Sequence, residues 1–114
     1  MENTNTRQQK IAKQIQKDIA EIIQREYSSA LRGTLVTVTT VRVSVDLAYA
    51  KIYVSIFPFE KAQATLDFLT EQNRAIRGAL GNRMRNQVKS IPELQFFIDD
   101  SLEYIENIDT LLKE

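Results

Sequence analysis

The sequence predicts an α+β domain in which a three-stranded sheet packs on helices in the order αββααβ, followed by a short C-terminal helix. Three observations support this fold class: isoleucines at helical spacing near the N-terminus, Val- and Thr-rich segments with alternating polarity, and a further alternating segment after a proline. The chain has 114 residues and is 43% hydrophobic, which is enough apolar surface for one core. We therefore expect a single domain over residues 1–114.

The first helix is predicted between Arg7 and Arg25 from isoleucines at positions 11, 15, 19, 22 and 23, which fall on one helical stripe. Its opposite face carries Lys10, Lys13 and Lys17. The polar residues 1–6 are expected to form a flexible N-terminus.

Two strands are predicted next, over residues 35–45 and 50–57, from alternation and β propensity. In the first strand, Val36 and Val38 lie on the opposite parity to the later valines. Either both faces are covered at its start, or a bulge near Thr39 and Thr40 shifts the register. The Asp46 side chain is expected to bond to backbone N–H groups in the turn between the strands.

Helical composition resumes over residues 60–87, and we expect a break between Gln72 and Gly78, where the apolar stripe is interrupted. Ile91-Pro92 ends this pattern because proline lacks the backbone donor. Residues 94–99 then alternate as a third strand. A short helix is predicted over residues 101–113, with Asp100 and Ser101 as its cap.

Missing residue types exclude several functions. The chain has no Cys and no His, so thiol and imidazole nucleophiles and zinc sites built on them are absent. We therefore expect no enzyme activity, no cofactor and no metal. No segment has the pattern of a signal peptide or a membrane span, so the expected location is cytoplasmic.

The net charge of zero is the sum of opposed segments. Residues 71–92 hold five basic side chains and one acid, Glu71, whereas residues 93–114 hold seven acids and one lysine. A helix whose only function is to face solvent usually mixes both signs. We therefore interpret the basic block as a phosphate-binding surface, with a solvated helix face as the alternative. Its residues are Arg74, Arg77, Arg83, Arg85 and Lys89.

Two weaker motifs have simpler interpretations. Gly78 to Gly81 spells GxxG, the KH-domain loop that clamps a nucleic-acid backbone, but Leu80 continues the apolar stripe, so a helical location is favoured. Tyr49, Lys51 and Tyr53 could stack on bases from the outer face of the second strand. Cross-strand packing is the more common role of such aromatics.

Several segments together resemble one family, ribosome-binding factor A. The resemblance runs from about Arg7 to Leu112 and is strongest in these segments: Leu35–Thr39, Val43–Leu47, Ala50–Ser55, Ile76–Arg77 with Leu80–Gly81, and Ile91–Ser101. It implies a type II KH-like domain in which a kink between two helices replaces the GxxG loop. Alignment on Ile76–Arg77 places this kink at Gln72, Asn73 and Arg74, where the usual Ala-x-Gly is missing.

The resemblance implies a bacterial assembly factor that binds the immature 30S small ribosomal subunit and its 16S rRNA and assists late maturation and rRNA processing. The expected contacts combine the basic block with the basic face of the first helix, Arg7, Lys10, Lys13 and Lys17. We expect a monomer with no membrane and no small-molecule partner. Two alternatives remain: a generic KH-like module for single-stranded RNA, and a protein-interaction module that uses Tyr49 and Tyr53.

Overall fold

The computed structural model describes residues 6–99. The elements follow the predicted order αββααβ, which confirms the α+β fold class. The expected flexible N-terminus, residues 1–6, lies outside the described residues except for Thr6, where the first helix begins. The predicted helix over residues 101–113 also lies outside the described residues. The bounds are α1 Thr6–Glu26, β1 Leu35–Val43, β2 Tyr49–Phe57, a 3₁₀ turn Phe59–Lys61, α2 Ala62–Glu71, α3 Asn73–Met84 and β3 Glu93–Ile98.

The sheet has the order β1-β2-β3, with β2 in the centre. β1 pairs with β2 in antiparallel orientation through a short turn, and β3 pairs with β2 in parallel orientation after the crossover formed by α2 and α3. The outer edges of both β1 and β3 are free of a further strand within residues 6–99.

One core lies between the helices and the inner face of the sheet. The five-isoleucine stripe of α1 is buried, as its spacing predicts, and so are Ala50, Ile52, Val54 and Ile56 on alternate positions of β2. α2 and α3 complete the core with four further buried side chains: Leu69, Ile76, Leu80 and Met84. The burial of the isoleucine stripe leaves Lys10, Lys13 and Lys17 of α1 exposed to solvent.

A β-bulge resolves the mixed parity of β1. The register shifts between Val38 and Thr40, which turns Val38, Val41 and Val43 toward the core. The Gln16 side chain donates to the Val38 carbonyl at 3.2 Å beside the bulge. Of the two possibilities left open by the sequence, the bulge is correct.

The turn between β1 and β2 is held by side chains. The Ala48 backbone N–H donates to Asp46 Oδ1 at 3.1 Å, as expected, and Ser44 Oγ donates to the same carboxylate at 2.8 Å. These bonds hold the pKa of Asp46 below its ordinary value, the Ser44 contribution being the largest. Leu47 takes a positive φ of 61° and packs against the core.

Candidate nucleic-acid interface

Three lysines of α1 form an exposed row. Because the isoleucine stripe faces the core, Lys10, Lys13 and Lys17 face solvent at helical spacing. With Gln87, which follows α3, they line a groove of about 510 Å³ that we call the α1 groove. None of the three makes a hydrogen bond or ion pair within the described part of the chain. Their charges are therefore available to an anionic partner.

Three further cations of the expected patch are exposed on α1 or on the segment after α3: Arg7, Arg85 and Lys89. Arg85 and Lys89 are exposed and lie two residues on either side of Gln87 in sequence, but neither lines the groove itself. Arg7 is exposed at the start of α1, where it borders a small pocket beside Leu47.

Arg83, by contrast, forms ion pairs that hold two helices together. Its Nη1 atom donates to Glu21 Oε1 at 2.6 Å and to Asp18 Oδ1 at 3.2 Å, linking α3 to α1. These are the only ion pairs formed among residues 6–99. Gln14 donates to the other oxygen of the buried Asp18 carboxylate at 2.9 Å. The acids that pair with Arg83 therefore come from another helix, α1, and not from its own segment.

The pKa shifts agree with this geometry. The hydrogen bond from Arg83 holds the pKa of Glu21 below its ordinary value, and the same bond raises the pKa of Arg83. Both shifts favour the charged pair over its neutral form, so Arg83 stays partnered at neutral pH.

A second basic region lies at the start of α3. Arg74 and Arg77 line a cleft of about 850 Å³ between α3 and the edge of β3, with Gly78 on its wall. Two of the Arg77 donors already form hydrogen bonds: Nη2 donates to the Ile91 carbonyl at 2.6 Å and Nε donates to the Pro92 carbonyl at 3.0 Å. The guanidinium has five N–H donors, so it can still contact a phosphate while holding this loop.

The helix break falls at Gln72, inside the interval predicted from the sequence. α2 ends at Glu71, α3 begins at Asn73, and Gln72 between them has φ −87° and ψ 7°. Asn73, the middle residue of the expected kink, is the first residue of α3. Its side chain donates to the Leu94 carbonyl at 2.8 Å, which attaches the break to β3.

The GxxG sequence is helical, as favoured. Gly78 and Gly81 lie within α3, and Leu80 between them is fully buried, so these residues cannot form an exposed clamp loop. Gly81 lies close to Ile91, where an added Cβ would be 3.4 Å from Cγ1, whereas Gly78 has open space around it.

The predicted patch is therefore two regions. Arg74 and Arg85 stand eleven residues apart near opposite ends of α3, which is about 16 Å along a helix. Sequence reasoning missed the loop carbonyls that hold Arg77 and the place of Gln87 beside the lysines. It also missed the partners of Arg83, although Asp18 and Glu21 interrupt the lysine row and could have signalled a contact with another helix.

Residues 6–99 contain no group of three or more acidic, His or Cys side chains placed to hold a metal ion. No helix among them has the length and apolar character required to cross a membrane.

Comparison with known proteins identifies the family. A sequence profile described as "Ribosome-binding factor A" matches residues 7–112. The chain belongs to the ribosome-binding factor A family. The ribosome-binding factor A of Christiangramia forsetii is 42% identical over 114 residues, covering 99% of this chain and 86% of the relative.

Solved structures of the family share the fold. The crystal structure of ribosome-binding factor A from Thermus thermophilus aligns with a TM-score of 0.68 at 28% identity, covering 80% of this chain and 94% of that one. A homology model of the Thermus thermophilus factor, fitted into the cryo-EM map of a 30S complex, aligns with a TM-score of 0.60 at 32% identity. It covers 75% of this chain and 88% of that one. The KH-like fold implied by the resemblance is thereby confirmed.

Proposed function

We propose that this chain is a bacterial assembly factor that binds the immature small ribosomal subunit through its 16S rRNA and assists late maturation and rRNA processing. It does so in the cytoplasm, as a monomer, without catalysing a reaction. Family membership supports this proposal, since the Thermus thermophilus relative was fitted into a 30S complex. The observation that carries the mechanism is the row of three unpaired lysines in the α1 groove.

The groove suits the phosphate backbone of a folded RNA. Lysine is a flexible point charge, and a row of lysines can neutralise successive phosphates without reading bases. Arg85 and Lys89 extend the row from the segment after α3, giving five cations in all. Five neutralised phosphates correspond to a log–log salt slope of about −3.5 to −4.5.

Arg83 and Arg77 have a supporting part in this mechanism. Arg83 fixes α3 against α1, and Arg77 fixes the loop that leads into β3. Both contacts hold the segment after α3, which carries Arg85 and Lys89, in a defined place beside the lysines. Their positioning lowers the entropy cost of ordering that segment on RNA.

One observation favours a second candidate, a module for single-stranded RNA. The α3–β3 cleft combines Arg74 with the open space around Gly78 beside a free strand edge, which could admit one extended strand. The buried Leu80 argues against the usual clamp loop at this place. A single-strand module would also bind short oligonucleotides as well as it binds particles.

Sedimentation separates the two functions. Wild-type protein is pelleted with immature small subunits, mature small subunits or large subunits across a salt series, and in parallel is titrated with short single-stranded RNA. We expect preference for the immature small subunit and a steep salt slope. Equal binding to large subunits, or oligonucleotide affinity equal to that for particles, would contradict the proposal.

A further inference from the structure

The face of the sheet that turns away from the helices carries large exposed aromatic side chains. Tyr49 is 51% exposed and Phe97 is 37% exposed. The Tyr53 and Phe97 rings stack across β2 and β3, with centroids 5.4 Å apart and planes inclined by 27°. This cross-strand pair has the packing role favoured for Tyr53, yet it leaves an apolar surface open to water. Exposed apolar patches of this kind mark interaction sites.

Two cations lie beside the aromatic pair. The sheet register aligns Arg42, Lys51 and Gln95 in the row next to Tyr53 and Phe97, and both cations are exposed. We call this surface the outer sheet face; it comprises Arg42, Tyr49, Lys51, Tyr53, Gln95 and Phe97. An apolar centre with adjoining positive charge fits an acidic amphipathic segment.

The chain leaves the sheet on this same face. The backbone N–H of Asp99 donates to the Val54 carbonyl at 2.7 Å, and Thr39 Oγ1 donates to the Asp99 carboxylate at 2.5 Å. The last described residue is thus fixed across β2 and β1. Whatever follows it begins within reach of the aromatic pair.

We propose that the outer sheet face is the docking site of the chain's own acidic C-terminal segment, residues 101–113. Its sequence places Leu102, Ile105, Ile108 and Leu112 at helical spacing. Acidic side chains between them match the two cations of the face: Glu103, Glu106 and Asp109. The inference does not depend on the proposed function, since it concerns contacts within one chain.

Length agrees with this assignment. Thirteen residues span about 20 Å as a helix. The outer sheet face from Ser55, next to the chain exit, back to Tyr49 is six strand residues long, also about 20 Å. A tether of one or two residues gives an effective concentration in roughly the millimolar range, so individually weak apolar and ionic contacts suffice for docking.

A spin label on the segment tests the proposal. The chain has no cysteine, so Thr110→Cys accepts a single nitroxide in the full-length protein. We expect the nitroxide to broaden the amide NMR signals of the β2 and β3 residues around Lys51 and Phe97 until they are lost. Signals from Lys10 and Lys17 should persist, because these α1 residues line a groove that contains no sheet residue. Equal broadening of both surfaces, or of neither, would overturn the proposal.

Variants identify the contacts and the occupant. Arg42→Glu with Lys51→Glu should restore the lost signals, whereas Lys10→Glu with Lys17→Glu, a matched reversal in the α1 groove away from the sheet, should leave the losses unchanged. If the first pair has no effect, the proposal fails. In a separate sample, nitroxide-labelled protein at natural isotopic abundance is mixed with an excess of isotopically enriched protein that carries no nitroxide. Signal loss in the enriched chain would show that a second copy occupies the face, and would equally refute docking within one chain.

Discussion

The lysines of the α1 groove and the arginines at positions 77 and 83 carry the same charge but differ in their partners. The groove lysines make no ion pair within residues 6–99, whereas Arg83 holds Asp18 and Glu21 and Arg77 holds two loop carbonyls. A count of basic residues treats them alike. The structure separates cations available to RNA from cations that hold the fold, and each class should respond differently to substitution.

The largest effect on small-subunit binding is expected from substitution of the cations that are available to RNA. Lys10→Gln, Lys13→Gln and Lys17→Gln together remove the row of the α1 groove. If each lysine neutralises one phosphate, the log–log salt slope for small-subunit binding becomes shallower by about 2 to 3. The thermal melt should stay nearly unchanged, because none of the three side chains forms a hydrogen bond or an ion pair among the described residues.

A matched control for this triple variant uses three exposed cations outside the groove, Arg25, Arg32 and Lys61, each changed to Gln. The net charge changes by the same amount. If the control reduces binding as much as the groove variant does, net charge rather than the groove governs affinity.

The next effect compares two arginines of one segment. Arg83→Gln should lower Tm by several degrees, since it breaks the link between α3 and α1 and leaves the buried Asp18 carboxylate without its charged partner. Arg85→Gln should leave Tm unchanged and make the salt slope shallower by about 0.7 to 0.9. Thermal melts and salt titrations of both variants check this. If Arg83→Gln changed only the salt slope and Arg85→Gln changed only Tm, the distinction between cations that hold the fold and cations available to RNA would be wrong.

A pH series isolates the contribution of Glu21. Its pKa is lowered in the folded chain by the hydrogen bond from Arg83, so its stabilisation is present above the ordinary glutamate pKa of about 4.3 and is lost as the pH falls through the lower folded value. The Tm difference between wild type and Glu21→Gln should be largest near neutral pH and should shrink below about pH 4. A difference that does not vary with pH would show that the pair is not ionic.

The smallest effect concerns the α3–β3 cleft. Gly78→Ala should stabilise the protein by about 0.5–1 kcal/mol, because an added methyl group meets open space in a helix interior. Small-subunit binding should be unchanged if RNA lies in the α1 groove. A stabilised variant that binds the subunit more weakly would move the site to the cleft. Gly81→Ala is the comparison variant, since its methyl group meets Ile91 and should stabilise less.

Periodicity predicted the elements well because burial on one face leaves a regular spacing. The isoleucines of α1 and the alternation of β2 are examples, and both lie in the core as expected. The pattern of basic residues in the sequence predicted the RNA-binding surface less completely. Whether Arg83 faces solvent or Asp18 depends on how α3 crosses α1, which is a tertiary contact between residues 65 positions apart. The role of Asn73 was missed for the same reason, since its partner is a carbonyl of β3.

Site-specific cross-linking tests the central claim most directly. A photo-reactive amino acid is placed at position 13 in the α1 groove or at position 61 on the 3₁₀ turn, and each protein is irradiated with immature small subunits. The account predicts cross-links to 16S rRNA from position 13 and none above background from position 61. Equal yields from both positions, or a yield from position 61 alone, would contradict it.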